Sequence, residues 1–152
     1  MQLDDTDRRI LRHWLADPDL PAADLAARAG VTAATLWRRQ ERLRAAGVIR
    51  AEQAVIDWRA MGWSVEVSLR FMLDKTDPRA FDAFLAAARE VPEVTEIQTF
   101  LGRTDVRLNV IARDMAHWQE VYRARILTLP HIAELEALMH VATIKDSGGL
   151  PL

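Results

Sequence analysis

The chain has 152 residues, half of them apolar, with 20 basic residues against 22 acidic ones. That suits one ordinary domain or two small ones and excludes wholesale disorder, while the absence of cysteine excludes disulfides, zinc–thiolate sites, iron–sulfur clusters and cysteine nucleophiles and fits a reducing cytoplasm. No apolar run approaches the ~20 residues of a membrane span, and Met1-Gln2-Leu3-Asp4-Asp5 lacks the basic-then-apolar form of a secretory signal.

The net charge of −2 hides an uneven distribution. Residues 1–50 carry nine arginines and seven acids; residues 51–152 carry eleven basic and fifteen acidic residues. Between Arg28 and Arg50 there are six arginines and one acid, Glu41. A local patch of that kind is what a phosphate backbone feels, although a solvated arginine-rich helix face gives the same count.

The first third predicts three helices. Asp4 is an N-cap with Asp7 three residues on, and Ile10, Leu11, Trp14 and Leu15 form a stripe of helical period that ends at Asp17-Pro18. A short helix follows over Ala22 to Ala29, closed by Gly30 where a left-handed cap is needed. Thr32 caps a third helix, Ala33 to Ala46, which stops at Gly47. Short helix, glycine turn and second helix are the grammar of a helix-turn-helix whose second helix lies in the DNA major groove.

On that helix Leu36 and Leu43 face inward, and Gln40 stands where an apolar residue is expected. Thr32, Ala34, Thr35 and Arg38 are candidates for base edges, and Arg39, Arg42 and Arg44 for phosphates. Trp37 either packs on the first helix or touches DNA.

Val48 to Ile56 reads as an extended segment, and Asp57 to Gly62 as a linker or turn. Trp63 to Leu73 then alternates apolar and polar residues, the mark of a strand with one buried face. Asp77-Pro78 opens a helix carrying Phe81, Phe84, Leu85 and Ala88, which Pro92 breaks. Strands follow over Val94–Leu101 and Val106–Ala112, joined by Gly102-Arg103-Thr104-Asp105. Asp114 caps a helix that ends at Leu129-Pro130, and a last strand runs over Glu134–Ile144.

The fold class is therefore α+β: an N-terminal winged-type helix-turn-helix domain joined to a C-terminal βαββαβ ferredoxin-like domain. The domains are 1–50, a linker strand and turn at 51–62, the βαββαβ domain at 63–145 and a tail at 146–152. The sheet face away from the helices carries Phe100, Ile111, Leu138, Ala142 and Ile144 among polar residues. This predicts a face that pairs with another subunit, or one covered by the linker and tail.

The sequence resembles the Lrp/AsnC family of transcription regulators over almost its whole length. The marks are Leu3-Asp4-x-x-Asp7-Arg8-x-Ile10-Leu11, Leu25-Ala26-x-x-x-Gly30-Val31-Thr32 and Arg39-x-x-x-Leu43-x-x-x-Gly47-Val48-Ile49. Gly102-x-x-Asp105 and Leu129-Pro130 complete the set. The resemblance implies a cytoplasmic, sequence-specific regulator of double-stranded DNA, assembled as a homodimer or a larger even-numbered oligomer. It further implies a small effector, commonly an amino acid, bound near the Gly-x-x-Asp hairpin at a subunit interface. Carried over, the effector positions are Gly102 and Asp105, with Leu101, Arg103 and Thr104 beside them. Asp105 suits an α-ammonium and Arg103 a carboxylate, although Gly and Asp also simply shape turns. Val106 and Arg107 depart from the family pattern, as does Gln40.

No enzyme, metal or cofactor is expected. His13, His117, His131 and His140 make no metal-ligand spacing, and no nucleophile elbow or phosphate-cradling loop occurs. Two other readings stay open. The siroheme decarboxylases share this two-domain layout and would use His117, His131 or His140 on a tetrapyrrole. The other is an effector-binding assembly module that has lost DNA binding, a reading that Gln40 suggests and that ranks below the regulator.

Overall fold

The computed structural model describes residues 2–145; the expected tail at 146–152 lies outside the described residues. The chain divides into two compact units between Ala54 and Val55, the second being Val55–Thr143.

The first unit holds α1 (Asp5–Ala16), α2 (Ala22–Arg28) and α3 (Ala33–Ala45). Helix α1 begins with a reciprocal capping box, Asp4 accepting from the Asp7 N–H while Asp7 accepts from the Asp4 N–H. Gly30 closes α2 in the left-handed region at φ 66°, and Thr32 caps α3 by accepting from the Thr35 N–H. Ile10, Leu25, Ala26, Ala29 and Leu36 form the core between the helices. The small side chains Ala26 and Ala29 let α2 lie close to its neighbours. Gln40 is half-buried, so the apolar stripe of α3 rests on Leu36 and Leu43 alone.

The extended segment expected over 48–56 forms no strand. The N–H groups of Val48 and Ile49 both donate to the Leu43 carbonyl, closing the end of α3, and the described residues offer 48–56 no strand neighbour. The expected separate linker at 51–62 is also corrected. Residues 58–62 form a turn that belongs to the second unit. Trp63 meets the His117 ring at 5.9 Å, and Arg59 reaches Glu66 at 3.2 Å.

The second unit is a four-stranded antiparallel sheet, ordered β2-β3-β1-β4. Its strands are β1 (Val65–Leu73), β2 (Val94–Thr99), β3 (Val106–Ala112) and β4 (Ile132–Met139). Helices α4 (Ala80–Arg89) and α5 (Met115–Val121) connect them, α5 running on into a π-helical turn at Tyr122–Ile126. Period-two alternation sends Val67, Leu69, Phe71, Val106, Leu108 and Val110 into one core with Phe84, Ala88, Trp118, Val121 and Ile126 from the helical segments. Phe71 and Phe84 sit 4.8 Å apart at 59°, a tilted aromatic pair at its centre.

Two boundaries shift. Helix α4 starts at Ala80 because the Asp77 carboxylate accepts from the Arg79 N–H and makes a turn of its own. Strand β4 stops at Met139, short of the expected Ile144, because Val67↔Met139 is its last register pair with β1. Beyond it, among the described residues, one further backbone bond joins the two, from the His140 N–H to the Glu66 carbonyl.

Candidate functional site

The capped N-terminus of α3 places Thr32, Ala34 and Thr35 at its first turn, with Ala34 exposed and Thr35 half-buried. Thr32 and Thr35 also bond through their hydroxyls at 3.0 Å, so part of their hydrogen-bonding capacity is spent locally.

The arginines of α3 divide sharply. Asp7 has a fully buried carboxylate that meets Arg39 at 3.0 Å and also pairs with Arg42. Arg39 pairs with Asp4 as well. That contact, followed by the bond Asp4 accepts from the Asp7 N–H, lowers the Asp4 carboxyl from its ordinary 3.8 to about 2. Arg44 bonds Glu41 at 3.0 Å and Glu52 at 2.8 Å, and lies over the Trp14 ring. Among the described residues Arg38 makes no hydrogen bond or ion pair; it is exposed. The phosphate-contact trio expected from sequence is thus also the set of side chains that ties α3 to α1 and to the chain beyond α3. Sequence reasoning recognised Asp7 as a cap residue and missed it as the anchor of two arginines more than thirty positions away.

Trp37 is 67% exposed. The expected alternative of packing against α1 is not what the chain does; the partly buried aromatic beside that core is Trp14.

In the second unit Gly102 takes φ 152° at the β2–β3 hairpin, a conformation open to glycine and costly for other residues. The hairpin closes through the Phe100 N–H donating to the Asp105 carbonyl at 2.9 Å. Leu101 is fully exposed. Asp105 is buried, and its Oδ2 accepts from the Leu73 N–H at 2.9 Å while its Oδ1 holds the Lys75 ammonium at 2.8 Å. Burial pushes the Asp105 carboxyl up, but the Lys75 and Leu73 hydrogen bonds and the Lys75 charge outweigh it and leave it below the usual carboxylate range.

Two hollows flank the hairpin. One of about 410 Å³ is lined by Arg70, Met72, Arg103, Thr104, Glu134 and Glu136, with Arg103 paired to Glu134 at 3.6 Å and Arg70 to Glu136 at 3.4 Å. The other, about 270 Å³, is lined by Leu73, Asp74, Lys75, Asp77, Phe81 and Asp105. Gly102, Arg103, Thr104 and Asp105 therefore come together as the sequence suggests, but Arg103 and Asp105 open onto different hollows. Lys75 is the partner of Asp105 that sequence reasoning missed; it lies thirty positions from Asp105, with no motif to announce it.

Three of the four histidines are bound into separate arrangements. His117 accepts from the Arg113 N–H at 3.1 Å and faces Glu93, which is held by Arg125 at 2.9 Å. His131 lies 4.0 Å from Asp77, and His140 sits 3.3 Å from Glu66. Among the described residues no cluster of three or more potential ligands could hold a metal ion.

The chain matches the Lrp/AsnC ligand binding domain over residues 66–150 and a winged helix-turn-helix DNA-binding model over residues 3–50. It is 30% identical over 144 residues to the proline dehydrogenase transcriptional activator of Rhodobacter capsulatus, covering 95% of this chain and 94% of that protein. An HTH-type transcriptional regulator of Mycobacterium tuberculosis is 33% identical over 146 residues, covering 95% and 96%. Among solved structures, an AsnC family transcriptional regulator from Agrobacterium tumefaciens aligns with a TM-score of 0.85 at 29% identity, covering 98% of this chain and 97% of that one. A Neisseria meningitidis transcriptional regulator in complex with L-Met shares the fold at a TM-score of 0.89 and 23% identity, covering 99% and 97%. Two family models in the order of the two units, with full-length relatives on either side, leave one conclusion: the chain belongs to the Lrp/AsnC family of transcriptional regulators.

Proposed function

We propose that the chain reads double-stranded DNA through α3 and takes an amino-acid effector at the Gly102–Asp105 hairpin. It works in the cytoplasm as a homodimer or larger even-numbered assembly. Thr32, Ala34, Thr35 and Arg38 form the base-reading set, with Arg38 the uncommitted cation among them. Arg39, Arg42 and Arg44 keep enough exposure, 22%, 46% and 39% of the side chain, to meet phosphates from their fixed positions.

One observation carries the effector half: Asp105 already holds an ammonium, that of Lys75. A buried carboxylate with one oxygen on a backbone N–H and the other on a primary ammonium is chemically suited to an α-ammonium, which would displace the 72%-exposed Lys75. Arg103 opens onto the other hollow, so it would meet the effector carboxylate only by turning from Glu134, 3.6 Å away, toward the Asp105 side, with Leu101, Gly102 and Thr104 around it. The relative solved with L-Met belongs to the same fold.

The test is a thermal-shift screen of the twenty amino acids, because a ligand that binds only the native state raises the melting temperature. Asp105→Ala removes the shift and leaves DNA binding intact. Lys75→Met frees Asp105 and strengthens the shift by about 10-fold in effector affinity, about 1.4 kcal/mol. An effector response unchanged by both variants places the site elsewhere.

A further inference from the structure

Trp37 belongs to none of the positions assigned above, and the described residues of its own unit leave it largely uncovered. It stands on α3 one turn beyond the capped N-terminus, 67% exposed. Its neighbours along that face are Ala33 and Ala34, one turn back, and Glu41, one turn on and held by Arg44; the next residue round the helix is Arg38, the α3 arginine without a partner among the described residues. The other three arginines of α3 are turned to Asp4, Asp7, Glu41 and Glu52. The outward side of the helix is therefore small at its start, then carries one indole and beside it one cation unpaired among the described residues, and further on Glu41, whose carboxylate Arg44 neutralises. A helical side chain leans toward the helix N-terminus, so the indole lies over the turn that carries Ala33. Leaving a ring of this size in water forgoes the gain of burying it, and Trp14 shows that the same unit buries an indole in part where it can.

We infer that Trp37 is a specificity-determining residue of the DNA contact, read together with Arg38. This rests on the reading of α3 as the groove helix. The occupant is the major groove rather than a protein surface, because the face pairs an aromatic plane with a free guanidinium and small side chains that allow close approach. The indole offers its plane to a thymine methyl and its Nε1–H to a purine N7 or a carbonyl oxygen, while Arg38 offers a bidentate fork to guanine. Trp37 carries no charge, so it adds nothing to the phosphate attraction and acts on sequence preference alone.

The experiment selects binding sites for the full chain from duplex DNA with a randomised core. It then measures affinity for the selected site and for a random-sequence duplex by anisotropy across a salt series. Trp37→Ala folds and melts like the wild type, since the side chain is exposed. It loses about 5- to 100-fold affinity for the selected site and the preference at one or two base positions. It keeps the random-duplex affinity and the slope of log K on log salt. Trp37→Phe keeps part of the preference, because the aromatic plane remains. A Trp37→Ala chain that selects the same site with the same affinity overturns the inference. So does one that loses random-duplex binding in equal measure, which makes the side chain a general contact. A changed number of chains by light scattering with the selected site unaltered assigns the indole to a protein interface and overturns it too. If the wild type binds no duplex at all, the groove reading fails first and this inference with it; a selected site that survives Trp37→Ala sinks this inference alone.

Discussion

Asp4 and Asp7 show how a two-residue cap becomes the anchor of a whole helix. The capping box is local and satisfies two N–H groups that every helix start leaves open. The same carboxylates then take Arg39 and Arg42 from α3, so the start of α1 sets where the groove helix lies. Removing the buried partner leaves two guanidinium groups without it. Asp7→Asn is expected to cost about 2 kcal/mol, below the ~3–5 kcal/mol of a fully buried broken pair because both arginines retain access to water. Asp4 gives the pH dependence. Its carboxyl is held near 2 against an ordinary 3.8, chiefly by Arg39. A depressed folded-state value means that the contribution is complete above the unfolded value and is lost as pH falls from about 4 through about 2. Melting temperature followed across that window should fall less steeply for Asp4→Asn than for the wild type; equal slopes would show that the contact with Arg39 contributes nothing.

The turns between elements were the most legible part of the sequence, because their chemistry is local. Thr32 as a cap, Gly30 as a left-handed closure and the Gly102 hairpin each follow from a residue and its nearest neighbours. Gly30 tests this reading. An added Cβ would meet nothing within 4 Å, so any cost of substitution is backbone strain. Gly30→Val is expected to lose about 1–2 kcal/mol, the penalty of a branched residue in the left-handed region, and Gly30→Asn clearly less; urea unfolding of the two variants would refute the strain account if their costs were the same. What the sequence did not show depends on distant partners. Strand β4 ends at the pair Val67↔Met139 although β1 runs on to Val65, and residues 48–56 form no strand, with no strand neighbour among the described residues. The Arg39 and Arg42 partners on α1 and the Lys75 ammonium on Asp105 lie thirty or more positions from their mates, beyond the reach of any local pattern. The family motif located the hairpin but not the ammonium already seated there.

At the scale of the whole molecule, the sheet face away from the helices proves more polar than its apolar pattern suggested. Arg107, Arg70 and Glu136 stand in register across β3, β1 and β4. Arg107 is paired to Glu96 at 3.1 Å, yet its Nε is buried without a hydrogen-bond partner. Ala142 and Ile144 lie beyond the end of β4. Exposed apolar side chains lie along and after β4, an edge strand, with Leu138 on the outer face itself at 37%, Met139 at 49% and Val141 at 94%, and at the β2–β3 hairpin, where Phe100 is 45% exposed. An edge with apolar neighbours is a template for another chain, which moves the expected self-association from the middle of the sheet toward this border. A reading head with a +2 balance gains little from one helix in one groove, whereas two heads held together engage two half-sites, the second at a high effective concentration. Light scattering of the wild type should therefore give an even number of chains. Val141→Asp should lower that number without lowering the stability of the single chain, since the side chain is already in water. Affinity for a two-half-site duplex should fall with it, while affinity for a single half-site should not. A wild-type monomer would remove the assembly argument altogether, and a Val141→Asp variant that assembles as before would return the interface to the face of the sheet.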